Sequence, residues 1–145
     1  MLFVVTGPPA AGKSSWIQAR ARPTDIVIDL DRIAQALAGP GAPQWTQEPT
    51  LLRIAHRARY AAIDEACRHL DHVDVYLIHT MPTAKWLARY KRLDAEIITV
   101  DPGQAVITQR IQAMRSPEMQ RVATRWYRNR ASLPPSVMPQ ASREW

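Results

Sequence analysis

Lys13 and Ser14 close the run Gly7-Pro8-Pro9-Ala10-Ala11-Gly12-Lys13-Ser14, which meets the spacing G-x-x-x-x-G-K-[ST] at every fixed position. The chemistry of a phosphate chain accounts for these residue types. Several backbone N–H groups must converge on the phosphate oxygens, and glycines let the backbone approach without a Cβ in the way. Pro8, Pro9, Ala10 and Ala11 fill the loop, and Ser15 continues into a helix whose N-terminus adds partial positive charge. Lys13 is the side chain that reaches terminal phosphates, and the Ser14 hydroxyl is a ligand for Mg²⁺. A chance Gly/Pro-rich turn would not also have an apolar run, Leu2 to Val5, before it and a helical pattern after it. The stretch predicts binding of a nucleoside triphosphate.

Other residues could complete a phosphoryl-transfer site. Asp29 and Asp31 follow the apolar run Ile26-Val27-Ile28 and are placed to face the loop across a cleft. A carboxylate there accepts a proton from an attacking hydroxyl or orients Mg²⁺ and its waters. Asp31 is expected in the first role and Asp29 in the second; the structural alternative for Asp31 is a helix N-cap. Arg110 and Arg115, on the helix after the fourth strand, are either lid arginines for the transferring group or solvated surface residues. Arg32, the pair Arg53 and Arg57, and His79 at a strand end are candidate contacts to the second substrate. Trp45, in a Gly/Pro-rich loop, either stacks on a base or tacks the loop to the core. His56, His69 and His72 form no metal-ligand pattern.

The elements that must position these groups alternate in type. Helix is expected over 13–20, a buried strand over 26–28, a short helix through Ile33, Ala34 and Leu37, and a loop over 39–49. A long helix over 50–70, a strand over 73–78, a short helix over 83–92 and a strand over 95–100 follow. Helices over 105–115 and 118–131 then lead into a Pro-containing tail from about residue 133. Alternation of this kind requires a parallel sheet with right-handed crossovers and the site at the strand C-terminal ends. The expected fold is therefore α/β, a P-loop NTPase three-layer sandwich with a short parallel sheet of about four strands, in a single domain spanning 1–145. Thr6–Ser14, Asp29–Arg32, His79–Pro82 and Asp101 occupy those ends.

A chain of 145 residues can bury a real core, and it has no apolar stretch long enough for a membrane span. No basic n-region precedes the first strand, and Cys67 has no partner for an internal disulfide, so a cytoplasmic protein is expected. Residues 103–145 hold seven Arg against two Glu, so five of the six net positive charges lie there. Arg121, Arg125 and Arg128 share one helix face, with Trp126 and Tyr127 interleaved. That is either a footprint for a nucleic-acid backbone or a solvated face.

GPPAAGKSSW, a strand ending in DLDR, then LIHTMPTAKW and TVDPGQAVITQRIQAMR, in this order over about residues 1–115, resemble the 5′-kinase domain of phage polynucleotide kinase. The chain is also similar to zeta-toxin-like and related small phage P-loop kinases. The resemblance implies a kinase using ATP and Mg²⁺, with Lys13 and Ser14 on phosphates and metal, Asp31 activating the hydroxyl, and Arg110 and Arg115 as lid arginines. Two positions depart from the pattern. Ala34 stands where polynucleotide kinases carry a phosphate-gripping Arg, and His79-Thr80-Met81 stands where they carry Asp-Thr-Asn. Both lie on the acceptor side. The expected activity is transfer to a hydroxyl of a nucleic acid, whether a 5′ end or a modified base in DNA, or of a nucleotide. The alternatives are a nucleoside or nucleoside-monophosphate kinase, and a partner-regulated P-loop ATPase with no acceptor.

Overall fold

The structure, a computed structural model, describes residues 1–43, 48–114 and 116–137. Its elements are β1 (Leu2–Thr6), α1 (Lys13–Gln18), β2 (Ile26–Ile28), α2 (Leu30–Leu37), α3 (Pro49–Ala66) and β3 (Val75–Ile78). They continue with α4 (Ala84–Arg92), β4 (Glu96–Val100), α5 (Gln104–Met114), α6 (Pro117–Asn129), a 3₁₀ turn (Arg130–Ser132) and β5 (Ser136–Val137).

All strand pairs are parallel, in the order β2-β3-β1-β4-β5. β1 is central, with Val4 opposite Leu77 on one side and Ile97 on the other. Alternate residues of each strand feed two cores, one on each face. Val5, Tyr76, Ile98 and Val100 pack with Trp16 and Ile17 of α1, Ile107 and Ile111 of α5, and Ala123 of α6. Leu2, Val4, Ile28, Val75 and Leu77 pack with Ile63 of α3 and Tyr90 of α4. This is the expected three-layer α/β sandwich, and the strand order puts the loop after β1 at the middle of the sheet's C-terminal edge.

Three boundaries differ from the sequence reading, each for a local reason. The sheet has five strands rather than four, because Ser136–Val137 of the tail pairs with Thr99–Val100. Two residues flanked by prolines give no apolar run to detect. Arg130 holds the strand in place, donating to Asp101 Oδ2 at 3.1 Å and Ser136 Oγ at 3.1 Å. α2 begins at Leu30 rather than near Ile33, because Asp29 caps it through a bond from the Asp31 N–H to Oδ1. α3 stops at Ala66, four residues before Leu70, and passes through turns that end on the His69 carbonyl.

α6 is not a free basic arm. Trp126 is fully buried and donates from Nε1 to the Thr80 carbonyl at 2.9 Å, and Tyr127 donates to Asp101 Oδ1 at 2.6 Å. The helix is thereby clamped across the C-terminal ends of β3 and β4, while Arg121, Arg125 and Arg128 remain exposed.

Candidate functional site

The loop between β1 and α1 is built on three unusual backbone positions. Gly7 has φ +145°, and a Cβ there would lie 2.1 Å from the Val100 carbonyl oxygen, so only glycine lets the loop leave β1 so close to β4. Gly12, at φ 91°, is the left-handed N-cap of α1. Ala10 also has positive φ, 62°, a conformation uncommon for a residue with a Cβ. Such strain persists where surroundings over-determine it. Here Arg110 of α5 donates from Nη1 to the Ala10 carbonyl at 2.8 Å.

Lys13 is buried and folds back over the loop, donating to the carbonyls of Gly7 at 3.0 Å and Pro8 at 2.7 Å. Burial pulls its ammonium down to about 8, while Asp29 and Asp31 act in the opposite direction. Its charge therefore lies against the loop backbone. Ser14 donates from Oγ to Asp29 Oδ2 at 3.1 Å, and Asp29 is itself buried. The two residues expected on the metal therefore meet.

Asp31 lies in the first turn of α2 with an exposed side chain. Asp29 does the capping, so Asp31's carboxylate has no hydrogen-bond or ion-pair partner among the described residues. Crowding by protein on the cleft side raises its pKa first, Asp29 adds to this, and Lys13 opposes it. Water at the exposed side screens part of that shift. A cleft of about 340 Å³ begins at Ser14, Asp29, Arg32 and Ile78 and runs between α1 and β2 to Val27 and Arg22.

The AAA domain family matches residues 2–134, nearly the whole chain. The chain belongs to the AAA domain family. It is a P-loop, kinase-like nucleotide-binding domain, and the loop geometry is that of a phosphate cradle. Among curated proteins, none matches the chain.

Nucleotide binding by an AAA domain of this type usually involves Mg²⁺, and the residues present fit that ion. Ser14 Oγ and Asp29 Oδ2 are hard oxygen donors, and their 3.1 Å separation matches two adjacent corners of an octahedron with metal–oxygen bonds of about 2.1 Å. Among the described residues no group of three or more His, Cys, Asp or Glu forms an all-protein metal cage. That is the usual arrangement for Mg²⁺, which keeps waters and substrate phosphates as ligands.

Among the residues of this AAA domain expected to contact a second substrate, the positions separate. His79 leaves the end of β3 and is pinned by Tyr90, whose Oη lies 2.6 Å from Nδ1, with the Trp86 ring edge-on at 5.5 Å. Burial, then the nearby Arg59 charge, lowers its pKa to about 4, so the imidazole is neutral. Arg32, Arg53 and Arg57 are exposed. Trp45 and Arg115 lie outside the described residues. Asp101, although at a strand end, is committed to structure through Gly103, Tyr127 and Arg130. His69 pairs with Glu65 at 2.8 Å and His72 with Asp71 at 3.2 Å, both at the surface.

Arg59 is the residue at this site that the sequence does not disclose. It is only 6% exposed and donates from Nη2 to the Ile78 carbonyl at 2.9 Å. In sequence it is one more arginine in the string Arg53, Arg57, Arg59 on a helix. Only the seating of α3 against the end of β3 distinguishes it.

Proposed function

We propose that the protein is an ATP-dependent kinase that transfers the γ-phosphoryl group to a hydroxyl of a nucleic acid or nucleotide. The observation that carries this reading is Asp31. Its carboxylate stands beside Lys13 and the Ser14–Asp29 pair, is released from capping by Asp29, and has its basicity raised by its surroundings. A carboxylate with no structural duty at that position is suited to accept a proton.

In this reading the loop amides, Lys13 and the helix N-terminus hold the triphosphate. Ser14 and Asp29 would hold Mg²⁺, which neutralises charge on the β- and γ-phosphates when bound. The acceptor oxygen bonds to the γ-phosphorus, the bond from that phosphorus to the β–γ bridging oxygen breaks, ADP leaves, and the hydroxyl proton passes to Asp31. Arg110, which bonds the loop at Ala10, would meet charge on the transferring group. Arg115 is proposed as a second lid arginine on the sequence alone, as is Arg32 as a substrate contact at the cleft. The order of motifs supports a relation to phage polynucleotide kinases, and the exposed Arg121, Arg125 and Arg128 suit a polyanionic acceptor.

The experiment is γ-labelled ATP with Mg²⁺, offered to 5′-hydroxyl single-stranded DNA, 5-hydroxymethyl-pyrimidine DNA, and a panel of nucleosides and nucleotides, with Lys13→Ala as control. Label in one acceptor class, lost in the variant, is the expected result. Label appearing only as inorganic phosphate would instead favour a partner-regulated ATPase.

A further inference from the structure

Among the described residues, Arg59 is a buried cation with no carboxylate paired to it. Its side chain sits between α3 and the C-terminal end of β3, 94% removed from solvent, and no carboxylate among the described residues lies within ion-pair distance. A guanidinium carries five N–H donors. One is used, on the Ile78 carbonyl. The others find no acceptor among the described residues.

The neighbours do not relieve this. His79 is neutral and turns its Nδ1 to Tyr90 rather than to Arg59. Asp29 is near enough to act on Arg59 electrostatically, but its oxygens are taken by Ser14 and the Asp31 N–H. Desolvation lowers the pKa of Arg59, yet a guanidinium does not give up its proton in a protein. Leaving such a charge buried and unpaired costs several kcal/mol. A tie between α3 and β3 needs only a neutral donor, such as a glutamine. The full charge has a use if an anion reaches it at the end of β3.

The surface next to Arg59 indicates what carries that anion. Its guanidinium carbon lies 6.0 Å from the centre of the Tyr60 ring. Tyr60 is 42% exposed and stacks on Trp86 at 6.0 Å with the planes 10° apart. A guanidinium beside a partly open aromatic face has the chemistry that recognises a nucleotide unit, the phosphate held by charge and the base by stacking.

We propose that Arg59 grips a phosphate group of the acceptor, with the Tyr60–Trp86 face beside it receiving that nucleotide's base. The inference rests on the kinase reading for the word acceptor, but the phosphate subsite itself stands or fails by binding alone.

The test is therefore calorimetric and needs no turnover. With the triphosphate site filled by a non-hydrolysable ATP analogue and Mg²⁺, the protein is titrated with thymidine, thymidine 3′-monophosphate, the dinucleotide TpT and inorganic phosphate. The expected result is that thymidine 3′-monophosphate binds at least about tenfold more tightly than thymidine, with inorganic phosphate competing. Arg59→Gln should abolish that preference while affinity for the ATP analogue changes less than about twofold. Arg59→Lys, which keeps the charge, should retain part of it; this variant decides the matter if Arg59→Gln does not fold. TpT binding as tightly as the monophosphate would assign the phosphate to a polynucleotide end, and much weaker binding to a free nucleotide. Equal affinity of the wild type for thymidine and its 3′-monophosphate would overturn the proposal, as would a preference that survives in Arg59→Gln. Absence of label transfer with the preference intact would overturn the kinase reading and leave the phosphate subsite.

Discussion

Ser14 and Asp29 join the first turn of α1 to the end of β2 through a single hydrogen bond of 3.1 Å. Fifteen residues separate them in sequence. The bond places a hydroxyl and a buried carboxylate side by side under the phosphate loop, with Lys13 next to both.

Replacing Asp29 by Asn separates the two duties of this residue. Asparagine caps a helix about as well as aspartate, so α2 should persist and stability should change by less than about 1 kcal/mol. The metal would lose its only buried charged ligand in the pair. The Mg²⁺ concentration needed for half-maximal nucleotide binding should rise by roughly tenfold or more. A magnesium titration of a fluorescent ATP analogue reads this, and an unchanged midpoint would take Asp29 off the metal.

Asp31→Asn should leave nucleotide affinity nearly intact, because the side chain bonds nothing in the structure as described. Phosphoryl transfer should fall by about 10²–10⁴, the usual contribution of a general base. The kcat of label transfer and the Kd of the nucleotide, measured on the same preparation, distinguish the two effects. Full turnover in the variant would exclude the proton-accepting role.

The nucleotide side of this site was legible in the sequence because each of its constraints is local. Gly7 and Gly12 are required by backbone geometry within one loop, and Lys13 and Ser14 follow them directly. The sheet was legible for a similar reason, since strands buried on both faces read as short apolar runs. The proposed second-substrate side was not. Arg59 matters through its contact with Ile78, nineteen residues away, and nothing in its immediate neighbours separates it from Arg53 and Arg57. The N-cap of α2 was assigned between Asp29 and Asp31 only by a backbone that turns at residue 29. β5 is held by Arg130 and Asp101 rather than by its own apolarity. Packing between distant residues decides Arg59 and β5, and local backbone geometry decides the cap.

Gly7→Ala tests the close approach of the loop to β4. The added methyl would sit 2.1 Å from a backbone oxygen of Val100, and no side-chain rotation relieves that overlap. Gly103, at φ 106° with open space around its missing Cβ, is the comparison. Gly103→Ala should cost about 1–2 kcal/mol from backbone strain alone. Gly7→Ala should cost at least about 2 kcal/mol more than that. Urea denaturation of both variants measures the difference, and equal losses would mean that β4 yields.

His79 should make the fold sensitive to mild acid. Its pKa is lowered to about 4 in the folded state, against 6.5 for an ordinary histidine. The unfolded chain therefore takes up a proton at a pH where the folded one does not. Stability from this group is complete above 6.5, falls as the pH drops toward 4, and levels off below that. The loss is at most about 3 kcal/mol, and less because His79 is only partly buried. In His79→Gln the slope of stability between pH 6.5 and 4 should flatten by that amount. An unaltered slope would show that the imidazole is already charged in the fold.

Arg110 bridges α5 and the phosphate loop, and its variant should separate assembly from catalysis. The bond to the Ala10 carbonyl steadies a residue held at φ 62°. A lysine can reach toward the same carbonyl but lacks the planar fork that meets two phosphoryl oxygens at once. Arg110→Lys should therefore keep the loop and bind the nucleotide within a few-fold of the wild type. Arg110→Ala should lose the bond as well and weaken nucleotide binding further. If Arg110 meets charge on the transferring group, both variants should lose about 10³-fold or more in kcat of label transfer. A kcat that recovers in Arg110→Lys would limit the residue to holding the loop.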